Sequence, residues 1–219
     1  MRPQLLAALG AALLAACSSA PLPPDWQLQA KPALETALQL DLEGDSRAAQ
    51  REFERARALL ARTGQPALVA RAELMRCAAR VASLDFAACD GFEHWRAEAP
   101  AAERAYADHL AGRALEAPHR ELLPAAQRGA AAAIAARGTV SVAAIDDPQS
   151  RLIAAALLLR AGLADPATLE LAAETASAQG WRRPLLAWLG VLAQRAERAG
   201  AGDEAQRLRR RIELVQSSR

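Results

Sequence analysis

Residues Ala33 to Ala61 read ALETALQLDLEGDSRAAQREFERARALLA. Two runs of strong helix formers stand on either side of Gly44-Asp45. Glycine tolerates the left-handed conformation that ends a helix, and an Asp carboxylate can cap the next one. The stretch therefore predicts a helical hairpin. Pro32 opens its first helix, which reaches about Glu43, and Ser46 to Ala61 form the second. Ala, Leu, Arg and Glu dominate from there onward, and Thr139 to Val142 is the one β-like patch. The fold class that follows is all-α, built from antiparallel helical hairpins.

Punctuation divides the remainder in the same way. Thr63-Gly64-Gln65-Pro66 is a break, and helices are expected over Ala67 to Ser83 and Phe86 to about Arg96. Pro100 opens a helix carrying Tyr106 and Leu110, and Ala125 to Arg137 closes at Gly138. Asp147-Pro148 and Asp165-Pro166 each read as an N-cap followed by a proline in the first turn. Pro184 opens a further helix, and Asp203 caps a last one reaching about Val215. RAGLADPA at Arg160 to Ala167 recurs as RAGAGDEA at Arg198 to Ala205, an offset of 38 residues. Such self-similarity marks stacked hairpins of one kind.

Ala37, Gly44-Asp45, Ala49, Phe53 and Ala56 together resemble a tetratricopeptide repeat. Small residues at 37 and 49 allow close helix approach, and Phe53 fills the space between hairpins. The likeness departs at Ala33, where the family has an aromatic, and at Ala61, where it closes with Pro. The spacing of 38 also exceeds the family's usual 34 or so. The resemblance implies a short TPR-like α-solenoid with N-terminal hairpins over 31–138, a linker over 139–146 and a C-terminal pair over 147–219. It also implies a concave groove lined by the first helix of each hairpin. Matching positions are Lys31, Leu34, Leu38 and Asp41, then Arg71, Leu74 and Ala78, then Leu152 and Arg160, then Val191 and Arg198. Apolar residues fringed with Arg suit a peptide or a partner helix. Trp181, beside Arg182 and Arg183 in a loop, is a further binding candidate, whereas Trp188 reads as core.

Cys77 and Cys89 lie equally far from Ser83. Aligned through Asp45 and Asp85, they take the places of Ala37 and Ala49, the closest-approach positions of the hairpin. A disulfide is expected there, with two small buried thiols as the alternative.

The N-terminus carries an address. Leu5 to Ala16 run without a charge. As a helix they rise only about 18 Å, too short for a bilayer core of roughly 30 Å. The run ends Leu14-Ala15-Ala16-Cys17, which resembles the lipobox of bacterial lipoproteins. The resemblance implies a signal peptide over 1–16, acylation of Cys17 and insertion of its acyl chains in a lipid bilayer. Residues 17–30 then form a tether. Ser18, where inner-membrane lipoproteins of Gram-negative bacteria usually carry Asp, implies the outer membrane, facing the periplasm. That compartment permits a disulfide.

The formal net charge is +2, and aromatics make up only 4% of the chain. Arg residues are interleaved with Glu and Asp, and RLRRRIEL at Arg207 to Leu214 is the one dense basic run. Nucleic-acid binding is not expected from this pattern. His94, His109 and His119 are scattered and read as surface or helix-end residues. No metal-ligand spacing, nucleophile motif or glycine-rich phosphate loop occurs, so neither metal, cofactor nor catalytic residue is expected. The expected function is a protein-binding scaffold or adaptor for an unidentified envelope protein or peptide. An envelope enzyme acting on peptidoglycan and a purely structural lipoprotein are the alternatives.

Overall fold

A computed structural model describes residues 24–218, and these form eleven α-helices and no strand. The helices are α1 (Asp25–Glu43), α2 (Ser46–Ala61), α3 (Pro66–Ala82), α4 (Asp90–Glu93), α5 (Ala101–Leu110), α6 (Ala117–Glu121), α7 (Ala125–Ala136), α8 (Pro148–Arg160), α9 (Pro166–Ala178), α10 (Arg182–Arg198) and α11 (Gly202–Ser217). Residues 1–23, including Cys17, lie outside the described part.

The α1–α2 hairpin forms as its sequence dictates. Gly44 takes φ 92°, and the Asp45 amide donates to the Leu40 carbonyl at 2.9 Å, which closes α1. The Asp45 carboxylate then accepts from the Ala48 amide at 3.0 Å. Ala37, Ala49, Phe53 and Ala56 are all buried between the helices. The same left-handed closure recurs at Gly162, Gly180 and Gly200, where the next amide reaches back to Leu158, Ala176 and Ala196. The 38-residue repeat thus corresponds to two geometrically equivalent turns.

α1 begins at Asp25, nearly two turns ahead of Pro32, so the tether assigned to 17–30 ends by Pro24. Pro32 lies inside the helix and removes the donor that the Leu28 carbonyl would have used. Leu28 is 55% exposed, so water can replace that bond. Burial compensates: Ala30 joins Phe53, Leu59, Leu60 and Val69 in one cluster, with Trp26 packed against it.

Of the helix expected over Phe86 to Arg96, only the single turn α4 (Asp90–Glu93) forms. Leu84 takes φ 60°, and the Asp85 amide bonds the Arg80 carbonyl, which ends α3. The Asp85 carboxylate accepts from the Ala87 amide, and the Arg80 guanidinium takes the carbonyls of Ala87 and Ala88 at 3.1 and 2.9 Å. These side chains claim the backbone groups that a helix would need. Cys77 and Cys89 are nevertheless joined, with Cα atoms 5.8 Å apart. Across the disulfide, α3 meets the irregular segment 85–89 and not a facing helix. Closing that short loop is worth roughly 2–3 kcal/mol by chain-entropy reasoning. Urea unfolding of the oxidised protein should therefore lose about that much on reduction, and Cys77→Ala/Cys89→Ala should be indifferent to reductant. Equal midpoints for oxidised and reduced wild type would refute this.

Arginine fastens the irregular stretch 84–124. Besides Arg80, Arg104 donates to the Ala99 carbonyl, Arg120 to Leu115 and Arg128 to Leu123. Asp108 joins Arg96 and Arg113 at 2.5 and 2.6 Å. A guanidinium can bond a carbonyl and keep donors for water, which an ammonium does less well. Lys31 is the only lysine in the chain.

α8 runs through the centre. Asp147 caps it by accepting from the Ser150 amide, and Leu152 to Leu158 are buried without a break. A helix apolar on every face must be surrounded, and α3, α7 and α9 all pack on it. The expected division at 139–146 therefore does not separate two cores. One buried cluster runs from Leu38 in α1 to Leu208 in α11. α10 completes the enclosure by packing on α1. There the Trp188 indole N–H donates to the Ala82 carbonyl at 3.2 Å, and that of Trp181 donates to Gln39 Oε1 at 3.3 Å.

Candidate functional site

The residues expected to line one groove do not share an open surface. Leu38, Leu74, Ala78 and Leu152 are buried in the core, and Leu34 and Val191 are half-buried against it. The face that a solenoid would offer to a partner is covered by α8 and α10 of the same chain. Lys31 is exposed and pairs with Glu35, and Arg71 pairs with Glu103. Arg160 lies over the Phe86 ring, 5.1 Å from its centroid, and points a nitrogen at the Leu110 carbonyl. Arg198 is exposed at the end of α10. Trp181 is 8% exposed and seals the α1–α10 contact, so it is core and not a free binding residue.

Asp41 is exceptional, because together with the edge of Leu38 it lines an open cleft of about 300 Å³. α1, α2, α3 and the first turn of α10 converge there, over a floor of Ala37, Leu38, Ala49 and Phe53. Arg76 lies over the Phe53 ring at 4.7 Å and donates to Gln50 Oε1 at 2.6 Å. Arg183 donates to the Asp41 carbonyl at 2.6 Å and to Ser46 Oγ at 2.7 Å, and its guanidinium stands 3.2 Å from Asp41 Oδ1. Arg80 completes the wall opposite Asp85. Three guanidiniums thus face two carboxylates. Two polar atoms in this wall are buried without a hydrogen-bond partner: Arg80 Nε and Asp41 Oδ2.

A second depression of about 170 Å³ lies alongside. Arg76 and Arg80 line both, and the second is completed by Glu73, the Cys77–Cys89 bond, Asp90 and Gly91. A Cβ at Gly91 would run into the Glu73 carboxylate, so the end of that side chain would have to shift. Arg76 and Arg80 were not picked out by the sequence, and Arg183 was noted there only as a neighbour of Trp181. Arg76 and Arg80, four apart on one helix and flanking Cys77, carried a usable signal.

His109 stands at a helix end, one of the two places expected for it, but not at the surface. It is the penultimate residue of α5, yet it is 1% exposed. Burial pushes its pKa down to about 4, opposed by a hydrogen bond with Gln127. Gln127 donates its amide to the Ser150 carbonyl at 2.9 Å, so its oxygen faces His109 Nε2 at 3.4 Å. The assignment that fits is a neutral ring protonated at Nε2. This is a structural bridge among α5, α7 and α8.

Among the described residues no three His, Cys, Asp or Glu side chains gather as a metal site, and no helix is long and apolar enough to cross a membrane. No protein-family model matches the chain, and comparison with curated proteins and with solved structures finds no match.

Proposed function

We propose that the chain is an outer-membrane lipoprotein, anchored through Cys17 and facing the periplasm, whose helical array is a binding scaffold for another envelope protein or peptide. The observation that carries the scaffold reading is the open cleft with its guanidinium wall. Its hydroxyls support binding over catalysis. Ser46 is bonded by Arg183 and Ser83 bonds the Ala79 carbonyl, so neither stands beside a general base. The anchor rests on Leu14 to Cys17 behind an apolar run.

A photo-crosslinking residue at Gln50, in cells, is expected to capture a discrete envelope protein, and Arg76→Gln should reduce that capture. The same residue placed at Arg198, away from the cleft, should not capture it. Equal capture from both positions would remove the cleft as the binding site. For the anchor, a clickable fatty acid should label the wild type and leave Cys17→Ser at background. Equal labelling of the two would refute it, and recovery of mature protein with the inner membrane would refute the location.

A further inference from the structure

We infer that the cleft takes an extended peptide segment with an acidic side chain, whose carboxylate seats against Arg76, Arg80 and Arg183. The inference rests on the scaffold reading and gives the chemistry of the partner. Charge is the first argument. In the lining of the cleft itself three guanidiniums stand against Asp41 and Asp85, an excess of one cation that a single carboxylate balances and a doubly charged phosphate exceeds; Glu73 and Asp90 face Arg76 and Arg80 from the adjoining depression. Shape is the second. The bond to Gln50 and the stacking on Phe53 fix the plane of the Arg76 guanidinium, and a planar fork matches a planar carboxylate.

The third is continuity. Arg76 and Arg80 separate two depressions and line both, so chain can continue on either side of the seated carboxylate. This favours an acidic residue within a segment over a chain end. Segment 85–89, held by the disulfide and by Arg80, forms part of the rim.

The test titrates the oxidised mature protein with acetylated and amidated pentapeptides, four alanines around a central Glu, Gln or Lys. An all-alanine pentapeptide with a free C-terminal carboxylate and inorganic phosphate complete the panel. Side-chain Nε–H resonances of arginine, followed by NMR, report the site. The Glu peptide should bind at least about ten-fold tighter than the Gln peptide and should shift the Arg80 resonance, with no saturable binding of the Lys peptide. Arg76→Gln and Arg183→Gln should each weaken it by about five- to ten-fold, and Arg198→Gln should not. Equal binding of the Glu and Gln peptides would overturn the inference without using any variant. Saturation by phosphate, or by the free chain end, at lower concentration than by the Glu peptide would also overturn it. If cleft crosslinking still captures an envelope protein in that case, the scaffold reading survives. If crosslinking fails too, both fall.

Discussion

Trp188→Ala will destabilise the fold by about 4 kcal/mol, the range for truncating a fully buried aromatic. The side chain is 0% exposed and stands where α10 meets the end of α3. Two losses combine. The cavity forfeits packing around an indole, and the Ala82 carbonyl loses its donor. That carbonyl lies in the last turn of α3, where no intrahelical N–H can reach it. Trp188→Phe separates the terms: it keeps most of the volume and gives up the hydrogen bond, so roughly 1–2 kcal/mol is expected. Domains of this kind have only about 5–15 kcal/mol in total. Urea unfolding followed by circular dichroism measures the change. Because one core spans α1 to α11, the variant should unfold in a single transition at lower urea. A biphasic curve with the first half of the chain unchanged would show that the two halves fold independently.

Acid is expected to cost a comparable amount through His109. Its folded pKa is lowered from 6.5 to about 4. Above pH 6.5 the ring is neutral in both the folded and the unfolded chain, and its contribution to stability is complete. Between pH 6.5 and about 4 the unfolded chain takes up a proton that the folded chain refuses. Stability therefore falls with pH at about 1.4 kcal/mol per unit, in total on the order of 3 kcal/mol. Below about pH 4 this term is constant. His109→Leu should flatten the curve between pH 6.5 and 4.5, whatever it does to stability at neutral pH. The same slope in wild type and variant would show that His109 is not the group responsible.

The turns were readable because their chemistry is local. Gly44-Asp45, Asp147-Pro148 and Asp165-Pro166 state a helix stop or start within two or three residues, and each is found where it was expected. Segment 85–89 was not readable. Its Ala and Phe residues have helical or neutral propensity, and apart from the local Asp85–Ala87 bond the competing bonds come from Arg80 and Cys77 on another element. The cysteine pairing came out of the alignment for a reason that the structure replaces. The groove failed for a general cause. Periodicity shows that Leu38, Leu74 and Ala78 form an apolar face but cannot say what covers it, and here it is the chain's own α8 and α10. The cleft depends on the same long-range return. Arg183 reaches Asp41 across more than half the chain, and no local pattern encodes that meeting.

The reliance on guanidinium chemistry has a practical consequence for labelling. With Lys31 as the only lysine, and with its side chain 76% exposed on the outer face of α1, an amine-reactive dye or spin label can attach to one side chain. Lys31 is not among the residues lining the cleft, so a probe placed there reports tumbling and assembly without entering the cleft. The converse also holds: amine-directed bifunctional reagents have almost nothing to grip on this protein. A partner that such reagents fail to capture should be sought with carboxyl-directed or light-activated chemistry.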